Sequence, residues 1–129
     1  MHIFAKMNET QKTGGEGETK AAEYLRSMGY EILERNWKHS NQEIDIIAKD
    51  KLFLVIAEVK TRSSNAFGEP EVFVNRQKQK NLIKAANAYL EKKNLLLESR
   101  FDILSVMKTG DTYKVNHIKN AFYPILNKS

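Results

Sequence analysis

The stretches QEIDIIA (residues 42–48) and LFLVIAEVK (residues 52–60) are the most informative part of the chain, because each is typical of a buried β-strand and yet carries charge. Both are rich in apolar and β-branched residues, which strands favour. Burying an ionised carboxylate costs several kcal/mol unless it is paired or binds a metal. Asp45, Glu58 and Lys60 therefore need a chemical reason for their positions, and metal-dependent phosphodiester chemistry supplies one.

Two helices and five strands are expected, from helical spacing of apolar residues and from alternation in the strands. The predicted helices are Glu16–Met28 and Arg76–Lys93, and the predicted strands are Tyr30–Trp37, Glu43–Ala48, Leu52–Lys60, Phe101–Met107 and Tyr113–Ile118. The order α-β-β-β-α-β-β places one helix between the third and fourth strands. Because such a crossover joins parallel strands, we predict an α/β fold with a mixed five-stranded sheet flanked by helices.

The length of 129 residues is typical of one domain. We expect a flexible N-terminal segment (1–13), a single domain (14–123) and a C-terminal tail (124–129). Thr61–Asn75 is predicted to be a loop, long enough to be functional rather than a mere connector. The glycine cluster at 14–17 is not a nucleotide-binding loop, because no strand precedes it and no Gly-Lys-Ser/Thr follows it.

Composition narrows the kinds of site and partner. There are no cysteines, and His2, His39 and His117 lack metal-ligand spacing, so any metal should be a hard cation with oxygen ligands. The net charge of +5 and the pI of about 9.4 favour a polyanionic partner such as nucleic acid. Because we find neither a membrane-spanning apolar run nor a signal peptide, we expect a cytoplasmic protein without a membrane partner.

The turn between the second and third strands sets the distance between the acids. With Asp50 and Lys51 as a two-residue turn, Asp45 would lie opposite Ile56. Glu58 would then be its diagonal neighbour on the same face, roughly 7 Å away. One divalent cation can bridge two carboxylates at this separation, so we predict a Mg²⁺ or Mn²⁺ site.

Strand alternation assigns further groups to this site. Asp45 and Ile47 should share one face of the second strand, while Glu58 and Lys60 share one face of the third. Val59 offers its carbonyl oxygen as a further hard ligand. Lys60 can orient an attacking water or stabilise the charge that develops on a phosphate.

The first helix supplies another acid. Glu18 extends the apolar stripe of Ala21 and Leu25, so its carboxylate is expected on the inward edge of the helix. There it can bind the metal or support the metal's ligands, and Glu16 is a less well-placed competitor.

Simpler explanations exist for these charged residues. Asp45, Glu58 and Lys60 can form a structural cross-strand ion pair without a metal. Glu18 can be a solvated glutamate that the helix dipole favours. Asp102, in an apolar strand, fits a buried hydrogen-bonding role better than membership of the acidic site.

A set of cations surrounds the loop and the helix that follow Lys60: Arg62, Arg76, Lys78, Lys80 and Lys84. Beside a metal site they would form a track for phosphates. Each can equally belong to a solvated helix face.

Several motifs occur in order between Gly14 and about Phe122, and together they are specific. They are Gly17-Glu18, Gly29-Tyr30, Arg35-Asn36-Trp37, Glu43–Ala48, Glu58–Arg62, Lys78-Gln79 and Arg100-Phe101-Asp102. In this respect the chain resembles the bacterial YraN family, which is related to Holliday-junction resolvases and to the restriction-endonuclease-like fold. One departure is Gln42, where the family usually has glycine; the change removes no candidate ligand.

The resemblance implies a nuclease core of the PD-(D/E)xK type. Asp45 and Glu58 match its metal-binding acids, and Lys60 matches its motif lysine. Glu18 matches the helix glutamate of the resolvases. Gln79 matches a polar residue that often accompanies the site from the second helix.

Two functions of different classes follow. The first is a metal-dependent, resolvase-like DNA endonuclease that hydrolyses phosphodiester bonds in branched or structured DNA, and the resemblance leaves a homodimer open. The second is a non-catalytic nucleic-acid-binding or adaptor module on the same fold. The clustered acids favour the first, because a binding module gains nothing from negative charge near phosphates. Cleavage of RNA and exonuclease activity stay open as well.

Overall fold

A computed structural model describes residues 9–63 and 74–123 of the chain. The elements are α1 (Glu9–Ser27), β1 (Glu31–His39), β2 (Gln42–Asp50), β3 (Phe53–Ser63), α2 (Arg76–Lys93), β4 (Glu98–Thr109) and β5 (Thr112–Phe122). Their order is the predicted one, and the predicted α/β class is confirmed.

The five strands form one sheet in the order β1-β2-β3-β4-β5. β3 and β4, which α2 connects, run parallel, and every other neighbouring pair is antiparallel. The sheet is therefore mixed, as the single crossover helix predicts.

The two helices cover opposite faces of the sheet, so the domain has two hydrophobic cores. On the α1 face the core consists of Ala21, Ala22, Leu25, Tyr30, Ile46, Ala48, Val55, Ala57, Leu104 and Val106. On the α2 face it consists of Ile44, Ile47, Leu54, Ile56, Val74, Leu82, Ala85, Ala86, Tyr89, Phe101 and Ile103. Because apolar residues occupy both faces of β2 and β3, these central strands are buried on both sides.

The helix α1 is longer than predicted. It begins at Glu9 rather than Glu16, so the glycine cluster at 14–17 lies within the helix. Gly29 follows the last turn with a φ of +93°, a conformation that glycine adopts readily at helix ends. Met28, which the helical spacing places in the apolar stripe, is 55% exposed instead.

The turn between β2 and β3 differs from the predicted one. Asp50 pairs with Phe53, so the turn residues are Lys51 and Leu52 rather than Asp50 and Lys51. Lys51 has a left-handed φ of 57°, and Leu52 is largely exposed. The two strands are therefore shifted by two residues relative to the predicted register.

Parts of the predicted organisation lie outside the described residues: positions 1–8 of the N-terminal segment, positions 64–73 of the loop, and the tail 124–129. The first three residues assigned to the loop, 61–63, belong to β3. In the two described ranges, neither helix is long and apolar enough to cross a membrane.

Candidate active site

Asp45 lies where the pairing of β2 and β3 ends. The last pair of the ladder is Ile46 with Ala57. Beyond it, the Asp45 Oδ2 atom accepts a hydrogen bond from the backbone N–H of Val59 at 2.8 Å. A side chain thus takes the place of a backbone acceptor, and this contact holds the Asp45 carboxylate beside β3.

The predicted neighbour of Asp45 across the two strands is wrong, because Ile56 pairs with Ile47. One step beyond the last pair, the observed register leads to Asp45 and Glu58. Glu58 is thus the residue that the register places across from Asp45, rather than its diagonal neighbour.

The regular alternation of side chains breaks near Asp45. Ile46 packs in the core on the α1 face, whereas Ile44 and Ile47 both pack in the core on the α2 face. At the matching position of β1, Asn36 has a left-handed φ of 54°. The strict alternation behind the predicted faces of β2 therefore does not hold through Asp45.

The electrostatic environment of Asp45 disfavours its ionised form. Burial raises its pKa to about 7, and the negative charges of Glu58 and Glu18 act in the same direction. The Val59 N–H and the charge of Lys78 lower the pKa, but they do not offset the other effects. Near pH 7, Asp45 is therefore partly protonated.

The cationic partner of Glu58 is Lys78, which the sequence predicted to bind phosphates instead. The Lys78 Nζ atom lies 2.7 Å from Glu58 Oε2, and Glu58 is only 8% exposed. Lys78 is in the first turn of α2, where its backbone N–H is donated to the Asn75 side chain that caps the helix. The cation next to the acids therefore comes from α2 rather than from β3.

Lys60 lies on the same face of β3 as Glu58, because the register with β4 is unbroken from Phe53 to Ser63. It is half-buried. Among the described residues, no carboxylate forms an ion pair with Lys60. The structural alternative of an ion pair with Lys60 is therefore not what neutralises Glu58.

A close approach of α1 to β3 brings Glu18 to the site. A Cβ atom at Gly17 would lie 2.2 Å from Thr61 Oγ1, so this contact requires glycine. Glu18 Oε1 lies 3.9 Å from Arg35 Nη2. Burial raises the pKa of Glu18, although a hydrogen bond from Asn36 and the charge of Arg35 lower it. Asn36 and Arg35 thus support this acid, a role that the sequence analysis missed.

The other predicted site residues have different surroundings. Gln79 donates its side-chain N–H to the Val74 carbonyl at 2.7 Å, so its hydrogen bond is to the segment before α2 rather than to an acid. Arg62 is exposed and donates to the Thr61 carbonyl. The remaining cations are exposed on α2: Arg76, Lys80 and Lys84.

Within residues 9–63 and 74–123, no three Asp, Glu, His or Cys side chains are already arranged as a metal site. The acids nevertheless have the right chemistry for a hard divalent cation, because they supply oxygen donors and, among the described residues, no cation forms an ion pair with Asp45. The ammonium group of Lys78 against Glu58 shows that this place attracts a cation.

A second polar cluster lies away from the acidic site. Asp102 accepts hydrogen bonds from Arg100 at 2.8 and 3.0 Å and from the Asn120 N–H at 3.1 Å, and it lies 2.8 Å from His117 Nε2. Arg100 also donates to Asp50 at 2.9 Å. Asp102 therefore has the buried structural role that the sequence favoured. Arg100 was noted only as part of a family motif, and its ion pair with Asp102 was not predicted, although a spacing of two residues in one strand was a usable signal.

Comparison with known sequences identifies related proteins. The model of the uncharacterised protein family UPF0102 matches residues 17–106. A UPF0102 protein of Flavobacterium johnsoniae is 45% identical over 121 residues, which cover 91% of this chain and 98% of the relative. One from Bacteroides thetaiotaomicron is 42% identical over 120 residues, covering 93% and 99%. A third, from Thermodesulfovibrio yellowstonii, is 46% identical over 110 residues, covering 85% and 95%.

The matched span contains Glu18, Asp45, Glu58 and Lys78, so the whole acidic site lies within it. The chain therefore belongs to the uncharacterised protein family UPF0102, in agreement with its resemblance to the YraN family.

Proposed function

We propose that this protein is a divalent-metal-dependent nuclease that hydrolyses phosphodiester bonds, with branched or structured DNA as its substrate. The observation that carries the proposal is the state of Asp45. This partly buried carboxylate has a pKa of about 7, and Glu58 and Glu18 crowd it with negative charge. A folded protein gains no stability from such an arrangement, whereas a metal site requires it.

In this proposal Asp45 and Glu58 hold Mg²⁺ or Mn²⁺, with Glu18 and the Val59 carbonyl assisting. When bound, the ion polarises the scissile phosphate and lowers the pKa of a coordinated water. The Val59 N–H fixes one oxygen of Asp45 and so orients the carboxylate.

Two lysines are candidates for contacts to the reacting phosphate. Lys60 shares the face of Glu58 and has no ion pair within the described part of the chain, so its ammonium group can orient the attacking water or stabilise phosphate charge. Lys78 neutralises Glu58 in the free protein and can move to a phosphate oxygen when substrate arrives. Comparing variants of the two lysines separates these roles.

A second candidate function is a non-catalytic nucleic-acid-binding or adaptor module. The observation that favours it is the ion pair itself, because Lys78 already satisfies Glu58 without a metal. Such a module would bind nucleic acid equally well with and without a divalent cation.

The test is cleavage of labelled duplex, single-stranded and four-way-junction DNA, and of a single-stranded RNA, in Mg²⁺, Mn²⁺ or EDTA. We expect metal-dependent cutting that falls at least about 100-fold in Asp45→Asn and Lys60→Ala, the scale of loss on removing one catalytic group. Matched controls are Asp111→Asn in the β4–β5 turn and Lys92→Ala at the far end of α2, both exposed.

The outcomes distinguish the two functions. Cutting that persists in Asp45→Asn would contradict the assigned site. Metal-independent binding without cutting of any substrate would favour the adaptor module. The preferred substrate decides between DNA and RNA, and end-blocked DNA distinguishes endonuclease from exonuclease activity.

Two further expectations belong to this proposal. They are a cytoplasmic location and, as in resolvases, association into a homodimer. Sedimentation velocity of the full chain tests the second.

A further inference from the structure

A polar groove lies between the β1–β2 hairpin tip and α2, on the α2 face of the sheet. Its volume is about 340 Å³, and its lining is His39, Ser40, Asn41, Gln42, Asn81 and Lys84. This volume is near the lower end of the range for small-ligand sites. Every lining side chain is polar, one is a cation, and none is a carboxylate, so the groove suits an anion that also needs hydrogen bonds.

Lining groups of this kind contact nucleic-acid backbones. About half to two-thirds of protein–DNA hydrogen bonds are made to phosphate and sugar oxygens, and lysine, serine, asparagine and glutamine side chains are among the groups that make them. Gln77 donates a hydrogen bond to Asn81 Oδ1 at 3.1 Å, which leaves the amide nitrogen of Asn81 as the donor.

The charge pattern of α2 points to the same ligand. From Arg76 to Leu90 the helix carries four cations and no acidic residue. Cations near a helix N-terminus oppose the helix dipole and make the helix less stable. A polyanion that extends from the groove at Lys84 toward the first turn of α2 would remove the penalty.

The wall on the hairpin side is held in place by aromatic contacts. The ring of His39 lies parallel to that of Trp37, with centroids 6.0 Å apart, and Trp37 packs edge-on against Tyr89 of α2. The groove is therefore anchored on both sides rather than formed by a free hairpin.

The groove lies along the same helix as the acidic site. Lys78 contacts Glu58, and Lys84 is six residues further along α2, about 9 Å at the helical rise. One strand of duplex DNA advances about 3.4 Å per nucleotide along its axis, so 9 Å corresponds to two or three nucleotides.

We propose that this groove binds the sugar-phosphate backbone of the nucleic-acid strand two or three nucleotides from the scissile phosphate. The distance of two or three nucleotides from the scissile phosphate rests on the proposed function. Binding of nucleic acid in the groove needs neither a metal nor cleavage. The proposal makes six residues part of the substrate-binding surface: His39, Ser40, Asn41, Gln42, Asn81 and Lys84.

The test is fluorescence anisotropy with a labelled four-way junction and a labelled single-stranded DNA in EDTA, over a range of salt concentrations. Lys84→Ala should weaken binding about 3- to 10-fold and reduce the salt slope by about 1. Asn81→Ala should weaken binding about 3- to 5-fold with an unchanged slope, because it removes a hydrogen bond but no charge.

The matched control is Lys92→Ala, which removes one cation at the other end of the same helix and should change binding by less than about 2-fold. Circular dichroism and thermal melting check that each variant is folded. Equal losses in Lys84→Ala and Lys92→Ala, or full binding by Asn81→Ala, would overturn the groove. Failure of the unsubstituted chain to bind either DNA would overturn it as well.

These results are separable from those of the cleavage assay. Metal-dependent cutting with normal DNA binding by the groove variants would leave the nuclease standing and the groove refuted. Loss of binding in those variants, together with no cutting by the unsubstituted chain under any metal, would leave the groove standing and refute the nuclease.

Discussion

Asp45 and Asp102 are both carboxylates in buried parts of the same sheet, but they differ in the partners that surround them. Asp102 is 1% exposed and contacts Arg100, His117 and the Asn120 N–H. Burial acts to raise its pKa, but the hydrogen bonds from these groups lower it below its ordinary value. Asp102 is therefore an ionised, satisfied acid.

Asp45 has one described hydrogen bond, from the Val59 N–H, and two acidic neighbours. Its pKa is raised to about 7. Burial of an acid therefore does not by itself indicate a functional role. A partly buried acid whose charge has no paired cation does indicate a functional site, because the folded state gains no stability from such a charge.

The largest expected effect is the loss of the Asp102 partner. Arg100→Met leaves Asp102 and Asp50 without their cation, and we expect the free energy of unfolding to fall by about 3–5 kcal/mol. Urea unfolding at pH 7 measures it. Lys114→Met, an exposed change on β5, should stay within about 0.5 kcal/mol. A loss below about 1 kcal/mol would mean that the cluster is not what stabilises this end of the sheet.

Removing the charge of Asp45 should raise the free energy of unfolding rather than lower it. Because its folded pKa is raised above 3.8, ionisation costs stability as pH rises from about 4 through about 7. Asp45→Asn keeps an acceptor for the Val59 N–H, and should stabilise the metal-free protein by about 2–4 kcal/mol at pH 8. The difference should vanish toward pH 4.

Urea unfolding between pH 4 and 9 measures this change, and the exposed Asp111→Asn serves as the control. Equal pH dependence of the wild type and Asp45→Asn would contradict the raised pKa. Addition of Mg²⁺ at pH 8 should stabilise the wild type and not Asp45→Asn.

The close approach of α1 provides an intermediate effect. Gly17→Ala would gain about 1 kcal/mol of helix propensity, but its Cβ would lie 2.2 Å from Thr61 Oγ1 and 3.1 Å from Thr61 Cβ. Since a strand backbone cannot easily withdraw, we expect a net loss of about 1–3 kcal/mol in thermal or urea unfolding.

Gly15→Ala is the matched control in the same helix, because nothing lies within 4 Å of its Cβ. It should stabilise the protein by up to about 1 kcal/mol. Gly17→Ala should also displace Glu18 from the acidic site and weaken Mg²⁺ binding. Equal stabilisation by the two substitutions would show that α1 does not depend on this contact.

The smallest effect on stability is expected at Lys78. Lys78 is partly solvated, but its removal leaves the 8% exposed Glu58 without its cation, so Lys78→Met should cost about 1 kcal/mol. The charge of Lys78 lowers the pKa of Asp45, so its loss should move the Asp45 titration to higher pH. Carboxyl ¹³C NMR measures this shift, with the exposed Lys80→Met as the control. An unchanged titration would show that Lys78 does not act on the acidic pair.

The order of elements, the bounds of α2 and the parallel pairing of β3 with β4 could be predicted from the sequence. They depend on local apolar periodicity and on one crossover connection. The ends of the strands were predicted less accurately than the order of the elements. The polar C-terminal end of β4, for example, forms strand because β5 pairs with it, as in the pair of Lys108 with Tyr113.

The predicted register of β2 and β3 was wrong by two residues, and the reason lies in a contact between residues far apart in the chain. Asp50 belongs to β2 rather than to the turn. It forms an ion pair at 2.9 Å with Arg100, which is fifty residues away in the sequence and enters the sheet only after the crossover. Turn preferences near Asp50 contain no information about that partner.

The unusual acids were recognisable without coordinates, since charge in an apolar strand singled out Asp45 and Glu58, and the apolar stripe of the first helix singled out Glu18. How each acid is compensated depends on contacts between distant segments: Lys78 pairs with Glu58, Arg100 pairs with Asp102, and no described cation pairs with Asp45. The physical reason is that an ion pair requires separations of a few ångströms. Such distances between residues far apart in the chain are set by the packing of α1 and α2 on the sheet.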